Sequence, residues 1–116
     1  AEGDLGSCPD IVFAVQEFIS SHFTDNEISL NAVAENVYVH PSYLSRIFSK
    51  NFNCHFRSYI NTLRVNLAAE LLTTTDESVG EICREVGFSD HSYFNKQFKQ
   101  LKGMSPREYR NEAMKN

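Results

Sequence analysis

This sequence lacks several features that define other classes of protein. No apolar run approaches the ~18 residues that a membrane-spanning helix needs, and the first residues do not show the basic and then apolar pattern of a secretory signal. The three cysteines, Cys8, Cys54 and Cys83, form no Cys-x-x-Cys pair that would suggest a zinc site or a redox centre. We therefore expect a cytoplasmic protein with reduced thiols and no membrane contact, in which Cys83 packs as a small apolar residue.

Patterns typical of enzymes and metal sites are also missing. The histidines, His22, His40, His55 and His91, form no His-x-x-x-His pair and have no glutamate-rich neighbourhood. The acidic residues of the N-terminal part are spread along the chain, which favours a solvated surface over a metal site. We expect no enzyme activity, no catalytic residues, no metal and no cofactor.

Basic residues are absent from the first 40 positions, which hold seven Asp or Glu. The formal net charge of −4 has the wrong sign for a simple nucleic-acid binder. Residues 41–116, however, hold eleven Lys or Arg against eight acids, a net charge of +3. Two acid-free stretches each carry four of these cations, namely Arg46, Lys50, Arg57, Arg64 and Lys96, Lys99, Lys102, Arg107. Each stretch is either a basic binding face or an ordinary solvated helix face.

Length and composition predict one soluble domain or two tightly joined lobes. The chain has 116 residues, of which 41% are hydrophobic and 22% are charged. We interpret residues 1–9 as a linker or an expression remnant and residues 10–116 as the domain. No strand pattern is found, and the predicted fold is all-α with seven helices, over about residues 10–22, 29–37, 41–52, 56–72, 78–86, 90–103 and 105–113.

Several helix ends and helix faces follow from local patterns. We predict Asp10 and Asp90 as N-caps, and Ser78 with Glu81 and Ser105 with Glu108 as capping boxes. On the fourth helix the apolar stripe is predicted to include Leu63, Leu67 and Leu71, and on the sixth Tyr93, Phe94 and Phe98 are predicted to face inward.

An internal repeat is the most informative pattern. The segment 42–48 reappears as 92–98, and the offset of fifty persists from Arg57 to Arg107. Upstream the offset is forty-nine, so the second copy has one extra residue in its turn. The pattern of each copy predicts a helix-turn-helix, at about 29–52 and at about 78–102. The helix at about 56–72 links the two copies. At 1.5 Å per residue this helix spans roughly 25 Å. Together with the width of the helices that it joins, it could hold two recognition helices at about the ~34 Å spacing of successive major-groove faces.

The second helix of each copy has an exposed face suited to DNA. The inward stripes leave Ser, Arg, His, Asn and Lys side chains outside, and these residue types bind base edges or phosphates in a major groove. A helical protein-interaction module that uses the same basic faces is the alternative function. Stacking of single-stranded bases on the many aromatic residues is disfavoured, because helical spacing puts most of them in the core.

Over residues 11–114 the sequence resembles the AraC/XylS family of bacterial transcription regulators. Within this family, the sequence looks closest to members that are fused to a response-regulator receiver or to a hybrid sensor kinase. The matching residues are Leu30, Val33-Ala34, Tyr43-Leu44-Ser45-Arg46, Phe48, Tyr59-Ile60, Arg64, Ala68, Leu71-Leu72, Ile82, Val86-Gly87-Phe88-Ser89-Asp90, Ser92-Tyr93-Phe94, Phe98-Lys99, Gly103, Ser105-Pro106 and Tyr109-Arg110. Two residues depart from the family pattern, His40 at a capping position and Asn53 where a glycine often ends the third helix, and each is expected to cost stability.

The resemblance implies two helix-turn-helix lobes that enter adjacent major grooves of double-stranded DNA and regulate transcription. The base-reading residues it implies are Ser42, Ser45, Arg46, His91, Ser92, Asn95 and Lys96. The predicted phosphate contacts are Lys50, Arg57, Lys99 and Lys102. A sensor or receiver domain of the same polypeptide is an expected partner and RNA polymerase a candidate one, and this fragment alone is expected to be monomeric.

Overall fold

The computed structural model describes residues 9–115, with the backbone alone at residues 9 and 10. Cys8 and most of the predicted linker therefore lie outside the described residues. Within them the structure has seven α-helices and no strand, as predicted. The helices are α1 (Pro9–His22), α2 (Leu30–Asn36), α3 (Pro41–Ile47), α4 (Phe56–Thr74), α5 (Val79–Glu85), α6 (His91–Lys102) and α7 (Pro106–Met114), and a π-helical turn, Phe48–Phe52, continues α3.

The chain divides into two compact units. The first contains the described residues up to Phe23 together with Glu27–Ile60, and the second contains Thr24–Asn26 and the residues from Asn61 onward. Helix α4 begins in the first unit and continues in the second.

The first unit is built on α1, α2 and α3. Helix α2 packs against both α1 and α3. The buried side chains of the first unit are Val15, Ile19, Ile28, Val33, Ala34, Leu44, Ile47, Phe48 and Ile60. An aromatic group extends this core, because the Phe48 ring contacts Phe52, Phe56 and Tyr59 with centroid distances of 4.7, 5.5 and 5.5 Å.

The second unit has its own core, where α6 packs against α5 and α7. The buried cluster contains Val65, Ala68, Ala69, Leu72, Ile82, Cys83, Val86, Phe88, Phe94 and Phe98. Cys83 is a small core residue, as predicted, and burial raises the pKa of its thiol. The guanidinium of buried Arg64 lies 5.5 Å from the centroid of the Phe88 ring and donates to the Asp25 carbonyl oxygen at 2.9 Å.

The turns of the two helix-turn-helix copies share one hydrogen-bond pattern. In the first, Tyr38 N–H donates to the Glu35 carbonyl and Val39 N–H to the Ala34 carbonyl. In the second, the same two bonds recur forty-nine residues later, ending at Gly87 and Phe88. This is a Schellman motif, in which the residue after the helix adopts a left-handed conformation. Gly87 does so with φ 111°, and its counterpart Tyr38 with φ 63°.

A second pair of left-handed residues follows the second helix of each helix-turn-helix copy. We call these second helices, α3 with its π-helical turn and α6, the recognition helices. Asn53 (φ 57°) follows the π-helical turn, and its repeat counterpart fifty residues later, Gly103 (φ 82°), follows α6. Asparagine tolerates this conformation better than most residues other than glycine. The departure at Asn53 therefore preserves the helix end.

Helix starts confirm most of the predicted caps. Both capping boxes form, at Ser78 with Glu81 and at Ser105 with Glu108, and the Asp90 carboxylate accepts from the backbone N–H groups of the next turn. His40, a departure from the family pattern, does cap its helix, and its expected cost in stability stays a prediction. Its Nδ1 accepts a hydrogen bond from the backbone N–H of Ser42 at 3.2 Å, so the imidazole caps the helix as a serine hydroxyl would.

Three predicted details differ from the structure. Helix α1 begins at Pro9, whose fixed φ suits a first helical turn, so Asp10 lies inside the helix and is not its cap. Helix α4 ends at Thr74, two residues beyond the predicted end, and its fully buried residues include Val65, Ala68, Ala69 and Leu72. The predicted stripe leucines Leu63, Leu67 and Leu71 are half-buried, and Leu67 and Leu71 pack against the core as predicted. Tyr93 is 38% exposed, so only Phe94 and Phe98 of its group face fully inward.

Candidate nucleic-acid interface

The recognition helix of the first unit presents the predicted polar face. Leu44, Ile47 and Phe48 are buried against the core, and this orientation leaves Ser42, Ser45 and Arg46 exposed. Helix α2 packs against α3, and Ser42, Ser45 and Arg46 stay accessible to solvent. The exposed face therefore has the residue types and the accessibility that a major groove requires.

Arg46 is oriented by an aromatic neighbour. Its Cζ lies 5.7 Å from the centroid of the Tyr43 ring, one turn earlier on the same helix. Tyr43, Arg46, Ile47 and Lys50 line a surface cavity of about 200 Å³. The cation–π contact restricts the guanidinium without using its N–H groups, so these stay available for an acceptor pair such as guanine O6 and N7.

Ser42 is held by the cap of its own helix. The Ser42 backbone N–H donates to His40 Nδ1 at 3.2 Å, and the Ser42 hydroxyl oxygen lies 2.9 Å from the same nitrogen. The hydroxyl oxygen can still accept a hydrogen bond from a base edge. The first turn of α3 is thus held by His40.

The recognition helix of the second unit has a matching face. Phe94 and Phe98 are fully buried, and the four predicted base-reading residues of this helix, His91, Ser92, Asn95 and Lys96, are all exposed. Asp90 caps the helix by accepting from the N–H groups of Ser92 and Tyr93 at 2.9 and 3.2 Å. The structure therefore brings these residues together on one accessible surface.

A cavity of about 410 Å³ adjoins this face, between the starts of α5 and α7. Its lining includes His91 and Asn95 and also Arg107, in the first turn of α7. Arg107 is exposed and was not among the predicted site residues. The signal that could have found it was present, because Arg107 is the repeat counterpart of Arg57, a predicted phosphate contact.

The predicted phosphate contacts differ in their freedom. Lys50, Arg57 and Lys99 are exposed. Lys102 is half-buried, and its Nζ donates to the Asn66 side-chain oxygen at 2.9 Å. Lys102 is consequently tethered to α4 and less able to follow a phosphate.

Asn61 on α4 positions the second recognition helix. Its side-chain nitrogen donates to the Tyr93 hydroxyl at 2.8 Å and to Gln97 Oε1 at 3.3 Å, on successive turns of α6. Asn61 is only 3% exposed. Sequence reasoning missed this residue, because a single polar position in a long helix does not indicate which neighbour it meets.

Comparison with known proteins places the chain in a family. A family model described as a helix-turn-helix domain matches residues 33–112, which contain both helix-turn-helix copies. The chain belongs to the AraC/XylS family. This is a family of DNA-binding transcription regulators and not of enzymes.

Curated relatives of this AraC-type domain include bacterial regulatory proteins. The regulatory protein PocR of Salmonella typhimurium is 37% identical over 99 residues, which cover 85% of this chain and 32% of PocR. The arabinose operon regulatory protein of Escherichia coli is 35% identical over 94 residues, which cover 81% of this chain and 32% of that protein. The chain thus spans about a third of the length of these relatives.

Solved structures with the same fold include response-regulator domains. The C-terminal domain of the response regulator AraT from Geobacillus stearothermophilus has a TM-score of 0.83 and 36% identity, and covers 90% of this chain and 85% of that one. The C-terminal domain of the two-component response regulator yesN from Fusobacterium nucleatum has a TM-score of 0.82 and 34% identity, with coverages of 87% and 98%. The DNA-binding domain of AdpA, solved in complex with a target DNA, has a TM-score of 0.78 and 26% identity, with coverages of 84% and 86%.

The predictions of an AraC/XylS domain and an all-α fold are confirmed by these comparisons. Among the described residues no helix is both long and apolar enough to cross a membrane. The comparisons do not test the individual base and phosphate contacts, which stay predictions.

Proposed function

We propose that this AraC-type domain reads a bipartite sequence in double-stranded DNA and is the output domain of a larger bacterial transcription regulator. One observation carries the proposal. The second helix of each copy exposes polar and basic residues at repeat-related positions, Arg46 and Lys96 among them, while the intervening apolar residues are buried. Two such faces within one chain suit two short blocks of sequence about one helical turn apart.

The residue types suggest a division of roles. Arg46 and Lys96 suit the acceptor pair of guanine, and Asn95 can pair with adenine. Ser42, Ser45, His91 and Ser92 can add single hydrogen bonds to bases or phosphates. Lys50, Arg57, Lys99 and Lys102 would meet phosphates, and Arg107 joins them because it flanks the cavity beside His91 and Asn95.

The rest of the regulator is inferred from the relatives. Since the chain spans about a third of the curated relatives, a sensor or receiver domain would complete the polypeptide. The two response-regulator neighbours favour a receiver and a two-component system. A regulator of this kind would act in the cytoplasm and without chemistry of its own, RNA polymerase is a further candidate partner, and we expect the isolated domain to be monomeric.

Selection of bound duplexes from a random DNA pool tests the proposal. The 116-residue chain would be compared with Arg46→Ala and Lys96→Ala at two salt concentrations. We expect two conserved blocks, with each variant relaxing a different block at a cost of about 1–3 kcal/mol. Lys115→Ala is the matched control, because Lys115 is exposed at the end of α7 and pairs only locally with Glu112 at 3.3 Å.

The opposite outcome would favour the alternative function. If no sequence is enriched above non-specific binding, and neither variant differs from Lys115→Ala, the base-reading roles are wrong. The basic faces would then serve an acidic protein partner, whose binding would fall with salt but would not depend on DNA sequence.

A further inference from the structure

A groove in the first unit lies outside the proposed DNA face. It runs between α1 and the end of α2, with a volume of about 550 Å³, within the range of roughly 300–1,000 Å³ typical of binding pockets. We call it the aromatic groove and define it by Phe13, Glu17, Phe18, Val37 and Tyr38. None of these residues lies on α3 or in the π-helical turn.

Two large aromatic side chains border the groove and are left in solvent. Phe13 is 63% exposed and Tyr38 is 93% exposed. Single exposed apolar residues are common on protein surfaces, whereas two aromatic residues at the edge of one concave surface are typical of a binding site. The apolar lining of Phe18 and Val37 continues between them.

The backbone at Tyr38 argues that its side chain is retained for a purpose. Tyr38 has φ 63°, a conformation that a bulky residue rarely adopts, and the repeat counterpart at the same place in the turn is Gly87. Glycine would satisfy the same Schellman motif without strain. The Tyr38 ring gives no packing in return, because it is almost fully exposed. A strained residue with no structural benefit indicates a function.

The charge around the groove selects its partner. The residues that line the groove include no Lys or Arg, and Glu17 is the charged residue among them. Nucleic acid and anionic lipid would be repelled, whereas a basic protein segment would be attracted. The groove thus suits a cationic partner, whereas the exposed face of α3 suits an anionic one.

We propose that the aromatic groove docks a protein segment in which one large apolar side chain is flanked by Lys or Arg. The apolar side chain enters the groove between Phe13 and Tyr38, and a flanking cation pairs with the Glu17 carboxylate. Arginine would gain further from the exposed aromatic faces through cation–π contact. This interaction is separate from DNA binding and does not depend on it.

Selection of peptides displayed from a random library on the immobilised 116-residue chain tests the proposal. We expect enriched peptides to combine a large apolar residue with neighbouring Lys or Arg. A synthetic peptide of the enriched sequence should then bind at least tenfold more weakly to Tyr38→Gly and to Phe13→Ser, and Glu17→Gln should reduce the salt dependence of its binding. Tyr38→Gly removes the ring while relieving the backbone, so loss of binding would not reflect unfolding.

Met114→Ser is the matched control, since it removes a 66%-exposed apolar side chain from α7 and should leave peptide binding unchanged. DNA binding by Tyr38→Gly should also be unchanged. The proposal fails if no peptide is enriched, if enriched peptides are acidic, or if the enriched peptide binds Tyr38→Gly and Phe13→Ser as well as it binds the unaltered chain.

Discussion

Gly87 lies directly against Arg64: a Cβ added at Gly87 would stand 2.7 Å from Arg64 Nε and 2.9 Å from the Thr24 carbonyl oxygen. The buried guanidinium therefore fills the space that a side chain at position 87 would need. The φ of 111° at Gly87 adds a second reason for glycine.

Gly87→Ala should accordingly lower the free energy of unfolding by about 3 kcal/mol or more, from backbone strain and overpacking together. Urea denaturation at neutral pH measures the change. Gly103→Ala is the matched control, because Gly103 also has a positive φ but nothing lies within 4 Å of an added Cβ. Its loss should be about 1 kcal/mol. Equal losses for the two variants would mean that contact with Arg64 does not matter.

Tyr38→Gly and Asn53→Gly should change stability in the other direction. Both residues adopt left-handed backbone at positions where the second copy has glycine. Removing Cβ strain at Tyr38 should raise the free energy of unfolding by roughly 1 kcal/mol, reduced in part by the greater entropy of glycine in the unfolded chain. Asn53→Gly should gain less, because asparagine already tolerates this conformation. A loss of stability in Tyr38→Gly by urea denaturation would show that the tyrosine ring packs in solution.

These turn residues also show how far the sequence alone could lead. Helical periodicity, capping boxes and the repeat predicted seven helices and the exposed faces of α3 and α6, because these depend on local patterns. The Asn61 hydrogen bonds and the packing of Arg64 against Phe88 join residues more than twenty positions apart, so no local pattern could reveal them. The family pattern could not show that the His40 imidazole caps α3, because a preference for serine does not exclude another acceptor at the same place.

The two capping boxes predict a defined response to acid. Backbone and side-chain hydrogen bonds from Ser78 lower the pKa of Glu81, and those from Ser105 lower the pKa of Glu108. A lowered pKa in the folded state means that each carboxylate stabilises the fold above the ordinary glutamate pKa of about 4.3, and that this stabilisation is lost as pH falls through the lower folded value. Glu81→Gln and Glu108→Gln keep the box geometry but cannot titrate. Unfolding midpoints measured between pH 7 and 3 should therefore fall less steeply in these variants.

Glu77 provides a control, because its pKa is shifted in the opposite direction. A hydrogen bond from its side chain to Glu85, followed by burial and the nearby carboxylates, raises the pKa of Glu77. Its contribution to stability is present below the ordinary glutamate pKa and is lost as pH rises through the raised folded value. Glu77→Gln should thus raise the unfolding midpoint more at pH 7 than at pH 3. An equal dependence of the unfolding midpoint on pH in all three variants would contradict the assignment of these pKa shifts.

Asn61 should influence DNA recognition without touching DNA. Because its amide holds Tyr93 and Gln97, Asn61→Ala should loosen α6 and cost about 1–2 kcal/mol of stability. In the duplex selection it should weaken the block that Lys96→Ala relaxes and leave the Arg46 block unchanged. Tyr93→Phe removes one of the same hydrogen bonds and should give a smaller effect of the same kind. If Asn61→Ala weakens both blocks equally, its effect is loss of folded protein and not the position of α6.

The phosphate contacts should be separable by salt. Each phosphate neutralised on B-DNA contributes about 0.9 to the slope of log binding constant against log salt concentration, so Lys99→Ala and Arg107→Ala should each reduce the slope by about that amount. Lys102→Ala should reduce it less, because Lys102 Nζ is already held by Asn66 at 2.9 Å. Fluorescence anisotropy with one fixed duplex at several salt concentrations gives the slopes, with Lys115→Ala as the unaffected control. A slope for Arg107→Ala equal to that of Lys115→Ala would remove Arg107 from the interface. A changed base preference in the duplex selection would instead make Arg107 a reader of sequence, reaching past its cavity beside His91 and Asn95.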